Sequence, residues 1–84
     1  MSDAQKFEEA QARVKTLKSA PATDQLLELY ALYKQGSAGD VSGSRPGMMD
    51  MKGRAKYDSW AKRKGMTKDA AMQAYIAVVA KHAK

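Results

Sequence analysis

The chain has 84 residues, 44% of them apolar, and no cysteine. That length makes one domain, 1–84, whose single core is only just sufficient, and the composition excludes disulfides, thiolate nucleophiles and Cys-based metal sites. The formal charge of +6 is lopsided: residues 1–44 hold five Lys/Arg against six Asp/Glu, residues 45–84 ten against three, which points to an anionic partner or to a solvated basic face.

The N-terminal stretch MSDAQKFEEA is acidic and has no apolar run, so no signal peptide is expected. No segment approaches the ~18 apolar residues needed to cross a bilayer. A soluble chain that suits the cytosol is the expectation.

Ser2-Asp3-Ala4-Gln5 matches a capping box. Phe7, Ala10, Val14 and Leu17 then recur at helical spacing, which predicts a first helix to about Lys18. Ser19-Ala20-Pro21 breaks it, because proline has no N–H to continue the ladder. Thr23 and Asp24 can cap a second helix. In it Leu26, Leu27, Leu29, Tyr30, Leu32 and Tyr33 cover most of the circumference. A helix apolar on so many sides is buried on more than one, by other helices or by a ligand.

From Gly36 to Gly47 the pattern vanishes into Gly, Ser and Pro. Asp50 can cap a third helix running to about Lys64, with Tyr57, Trp60 and Ala61 inward and Gly65 in the left-handed position that ends it. Thr67 and Asp69 open a fourth, with Ala71, Ala74, Tyr75, Val78, Val79 and His82 on one face. Nothing alternates with period two. The chain reads as all-α, with four helices and a long loop between the second and third.

Catalytic readings find little support. His82 stands close to the C-terminus, and there is no H-E-x-x-H, no P-loop and no G-x-G-x-x-G. Ser37, Ser42 and Ser44 have no histidine placed to activate them. No metal site, no cofactor and no enzyme activity are expected. More informative are Tyr30, Tyr33 and Lys34, which share one side of the second helix. A tyrosine offers a face for stacking and a hydroxyl for an oxyanion, and a lysine offers a compact cation for phosphate. Lys52 and Lys56 at i, i+4 repel each other, an arrangement that suits an anion between them. The plainer alternative is that the tyrosines fill core and the lysines snorkel. Met48, Met49 and Met51 crowd the end of the loop; they are expected to anchor it to the core, the alternative being an adaptable apolar surface.

In order along the chain stand YKQ, a G-D pair, RPGM, D-x-KG-x-AK-[aromatic]-D-x-W, KG-x-[ST] and A-x-AYI. The ordered set, from about Phe7 to Val79, resembles the acyl-CoA-binding protein family. The resemblance implies a four-helix up-down-down-up bundle with a shallow bowl at one end. Its long loop would carry the chain back along the bundle between two parallel helices. It implies a non-catalytic carrier and pool former for long-chain fatty acyl-CoA, cytoplasmic and monomeric, in transient contact with acyl-CoA-using enzymes.

Carried over by motif, Tyr30, Lys34 and Lys56 meet the ribose 3′-phosphate and Tyr33 stacks on adenine. Ala31 and Leu32 are included in the ligand-binding stretch of the second helix. Lys15 and Ala10 lie near the nucleotide, Lys52 near its phosphates, Tyr75 near the thioester, and Leu26 and Leu27 along the acyl chain. The chain departs from the family pattern at Ala20, Met51, Tyr57 and His82, where lysine, phenylalanine, tryptophan and leucine are common. Two competing readings remain: a small basic helical module for nucleic acid, and a structural domain docking acidic partners.

Overall fold

The computed structural model describes residues 3–17 and 22–82, which form α1 (Asp3–Val14), α2 (Thr23–Ala38), α3 (Met51–Ala61) and α4 (Lys68–His82) with no strand among them. The expected capping box at Ser2, the end of helix one at Lys18 and the break at Ser19-Ala20-Pro21 involve residues outside the described ones.

α1 stops earlier than its apolar spacing predicts. Lys15, Thr16 and Leu17 donate their N–H groups three residues back, to Ala12, Arg13 and Val14, and the Thr16 hydroxyl donates to the Arg13 carbonyl at 2.9 Å. That tightened turn satisfies orphan carbonyls and ends the helix by Val14.

The start of α2 also differs from expectation. Ala22, not Thr23 or Asp24, stands at the cap: its carbonyl accepts from Leu26 N–H at 2.9 Å, and its own N–H donates to Gln25 Oε1 at 3.0 Å. An alanine has no side chain to complete the reciprocal bond, so half of a capping box operates. Asp24 sits in the first turn, where its charge complements the helix dipole.

α2 runs on through Gly36 and Ser37 to Ala38, beyond the point where the apolar pattern fades. The reason lies at Gly36. A Cβ there would stand 3.1 Å from Phe7 Cζ and 3.2 Å from Met72 Cγ, so glycine admits α1 and α4 close to α2. Gly39, with φ of 86°, then turns the chain out.

α3 and α4 are capped as their sequences indicate. Asp50 Oδ1 accepts from Gly53 N–H at 2.9 Å, and Thr67 Oγ1 accepts from Ala70 N–H at 3.0 Å. α3 ends at Ala61 rather than Lys64, since the bonds Arg63 N–H to Trp60 O and Lys64 N–H to Ala61 O are again three residues long. Gly65 follows at φ 93°.

α2 packs against α3 and α4, and α1 packs against α4. Phe7 and Ala10 of α1, Leu29 and Leu32 of α2, and Tyr75 and Val79 of α4 form the core. Each large apolar side chain so buried contributes roughly 1.5–3 kcal/mol. The face expected on α4 is the one buried: Ala71, Tyr75 and Val79 are inside, with Ala74, Val78 and His82 half-buried.

The loop over residues 39–50 is tacked down by polar bonds. Trp60 Nε1–H donates to Gly39 O at 2.8 Å, Tyr57 O–H donates to Gly43 O at 3.1 Å, and Arg45 makes two bonds to the Asp58 carboxylate at 2.9 and 2.7 Å. The methionines do not anchor it. Met48, Met49 and Met51 are 80%, 99% and 78% exposed, which corrects the expectation that they reach the core. Aromatic and charged partners on α3 hold the loop without them.

Candidate functional site

α2 displays Tyr30, Tyr33 and Lys34 because spacings of three and four return to one side of a helix, while Leu29, Ala31, Leu32 and Gln35 take the inner side. α3 lies against this face and completes it. The Lys56 ammonium sits 5.4 Å from the centre of the Tyr30 ring, and the Lys34 ammonium 4.8 Å from that of Trp60. Each is a cation–π contact in which one helix supplies the charge and the other the ring. Among the described residues, none of Lys34, Lys52 and Lys56 is in an ion pair; Arg45 and Asp58 form the pair on this side of the fold. Ring faces orient the Lys34 and Lys56 ammonium groups but leave their charge unneutralised.

Tyr33 also belongs to an aromatic cluster that joins three helices. The Phe7 ring stacks on Tyr33 at 6.2 Å between centroids and meets Tyr75 edge-on at 5.1 Å. Tyr33 stays 38% exposed while Tyr75 is 5% exposed. Burial, and then the nearby Tyr33, push the Tyr75 phenol above its ordinary pKa, so it stays a neutral O–H group near pH 7. Leu26, 44% exposed, and half-buried Leu27 continue the α2 face one turn before Tyr30.

Lys52 is exposed on α3 one turn before Lys56, and Lys15 is exposed in the turn after α1. Ala10, Ala31 and Leu32 are 3%, 1% and 2% exposed, so their side chains lie in the core beneath the residues that α1 and α2 present at the surface. Trp60 and Phe7 hold the site's cation and ring in place, yet they read in the sequence as ordinary core. An aromatic residue one turn from a lysine at i+4 was the one available signal, and it does not say which helix the partner lies on.

Clefts of about 380 Å³, lined by Asp24, Glu28, Ala31, Ser59, Lys62 and Arg63, and of about 420 Å³, lined by Gln5, Glu8, Glu9 and Ala12, lie elsewhere. Their carboxylates suit a polyphosphate poorly. Among the described residues no group of three His, Asp or Glu side chains converges as a metal site would require, and no helix is long and apolar enough to cross a membrane.

An apolar stripe, an exposed tyrosine face and uncompensated lysines from two helices thus share one surface. Residues 4–79 match the family model described as acyl CoA binding protein. The acyl-CoA-binding protein homolog 1 of Caenorhabditis elegans is 53% identical over 73 residues, covering 87% of this chain and 85% of the relative. The homolog from Manduca sexta is 51% identical over 80 residues, covering 94% and 89%. The crystal structure of acyl-CoA-binding protein 2 of Oryza sativa superposes with a TM-score of 0.92 at 37% identity, covering 96% of this chain and 90% of that one. With the family model matched over most of its length and relatives more than half identical, the chain belongs to the acyl-CoA-binding protein family.

Proposed function

We propose that this chain binds long-chain fatty acyl-CoA thioesters without cleaving them and serves as a cytoplasmic, monomeric carrier and pool former. The observation that carries this reading is the pairing of Lys34 and Lys56 with aromatic rings and with no carboxylate. Such cations are poised for a ligand's phosphate, whose charge-assisted hydrogen bonds contribute about 1.5–3 kcal/mol each.

Lys34, Lys56 and the Tyr30 hydroxyl bind the ribose 3′-phosphate, and Lys52 and Lys15 meet the remaining phosphates and nucleotide. The exposed face of Tyr33 takes the adenine ring. Leu26 and Leu27 cover the acyl chain, whose burial brings roughly 0.8 kcal/mol per CH₂. The neutral hydroxyl of Tyr75 stands toward the thioester. No base or nucleophile accompanies these groups, so the bound ester is shielded and handed on to acyl-CoA-using enzymes in transient encounters.

Calorimetry with an acyl-CoA chain-length series, free CoA and free fatty acid tests the reading. Affinity should rise with chain length and exceed that of either half by orders of magnitude. Comparable affinities for palmitate and palmitoyl-CoA would contradict the nucleotide half of the site.

A further inference from the structure

Five large apolar side chains are exposed among the described residues: Leu26, Tyr33, Met48, Met49 and Met51. Leu26 and Tyr33 belong to the face proposed for the ligand. The methionines lie instead at the end of the loop and the first position of α3, and they are the most exposed of the five. Their backbone is ordered: Asp50 N–H donates to Gly47 O at 3.0 Å and the Asp50 carboxylate caps α3. The turn therefore exposes three thioethers at neighbouring positions of the chain, and a concentration of exposed apolar side chains marks an interaction surface.

The charge around them selects the partner. Residues 45–64 hold seven Lys/Arg against two Asp/Glu. Of the two carboxylates, Asp58 is bound by Arg45 and Asp50 by the Gly53 N–H. An apolar tip followed at once by Lys52, Arg54 and Lys56 has the composition of an interfacial anchor, in which apolar side chains enter the headgroup boundary while cations stay at the phosphates. Unbranched thioethers adapt to a disordered surface better than ring or β-branched side chains. A second copy of this chain would instead set two strongly basic segments against each other.

We propose that Met48, Met49 and Met51, with the adjoining Lys52, form a docking tip for anionic lipid bilayers. This goes beyond ligand binding and stands without it. It gives the chain a place to meet the membranes in which long amphiphilic esters partition.

The experiment is co-flotation of the full chain with vesicles of phosphatidylcholine alone and of phosphatidylcholine mixed with phosphatidylserine, with palmitoyl-CoA titrated in a separate arm. Wild type should partition onto the mixed vesicles and far less onto neutral ones. The Met48→Ser/Met49→Ser/Met51→Ser variant should lose about tenfold of that partition while keeping its palmitoyl-CoA affinity. Met49→Trp should bind the mixed vesicles more tightly and show a blue-shifted emission there, with the wild-type Trp60 signal as background. Three results would overturn the proposal: no partition by wild type, equal partition by the triple serine variant, or a dimer or acidic-protein complex abolished by those serines while vesicle binding persists. Loss of palmitoyl-CoA binding by wild type would fall on the ligand site and leave the vesicle arm intact.

Discussion

The indole of Trp60 lies 4.8 Å beneath the Lys34 ammonium, and its Nε1–H donates to the Gly39 carbonyl at 2.8 Å. One side chain of α3 therefore orients a cation on α2 and fixes the start of the loop. Trp60→Phe keeps much of the bulk and removes the donor, leaving a carbonyl without its partner. Urea unfolding should show a loss of roughly 1–3 kcal/mol. Unchanged stability would mean that the loop is held by its other contacts alone.

Gln35 is fully buried and its Nε2 donates to Asp40 Oδ1 at 2.8 Å and to Met66 O at 2.7 Å. It joins α2 to both of the loops that flank α3. Gln35→Leu fills much of the same volume with no donor, and should cost about 1–3 kcal/mol because the Met66 carbonyl is left unpaired. Hydrogen exchange should quicken around Asp40 and Met66. A wild-type midpoint in urea would contradict this role.

Acid should loosen the same region. The Asp40 carboxyl lies below its ordinary pKa, chiefly through the Gly65 N–H and then Gln35, and that of Asp58 chiefly through the Arg45 hydrogen bonds. Groups depressed on folding stabilise the fold above their unfolded pKa of about 3.9, and that contribution is lost as pH falls through the lower folded values. The melting temperature should therefore be level above pH ~5 and decline below pH ~4. Asp40→Asn/Asp58→Asn should melt earlier at neutral pH and show a shallower acid limb. Parallel curves for variant and wild type would rule these two carboxylates out as the cause.

Gly36 sits where side chains of α1 and α4 close on α2. Valine there would press on Phe7 and Met72, which a Cβ alone already approaches at 3.1 and 3.2 Å. Overpacking of this kind costs typically 1–3 kcal/mol, partly offset by the ~1 kcal/mol helix penalty that glycine carries. Thermal unfolding of Gly36→Val should show a net loss, and a gain would mean that α1 and α4 yield.

The helices were legible because apolar spacing and capping residues are local: Asp50 and Thr67 cap as their chemistry suggests. Their ends were less so. Thr16 and Gln25 redirect backbone bonds at α1 and α2, and Gly36 reads as loop until Phe7 and Met72 are seen beside it. Of the proposed site, the shared side of Tyr30, Tyr33 and Lys34 was readable from helical spacing, while the pairing of Lys56 with Tyr30 and Lys34 with Trp60 across two helices was not. The burial of Ala10 follows its place on the apolar stripe of α1, but the inward turn of Ala31 and Leu32 was not legible, since apolar residues nearly encircle α2 and spacing alone does not choose which side meets a neighbour. The exposure of the three methionines depends on a loop held by Arg45, Tyr57 and Trp60, contacts made 13 to 21 residues apart.

The central claim is that Lys56 and Lys34, across from each other on α3 and α2, await a 3′-phosphate. The direct measurement titrates wild type and Lys56→Ala with palmitoyl-CoA and with its dephospho analogue, which lacks only that phosphate. Loss of a charged hydrogen bond of about 1.5–3 kcal/mol should weaken palmitoyl-CoA binding roughly ten- to a hundredfold, and the same substitution should barely change affinity for the dephospho ligand. Equal losses for the two ligands would contradict the assignment and leave Lys56 as part of a general basic field.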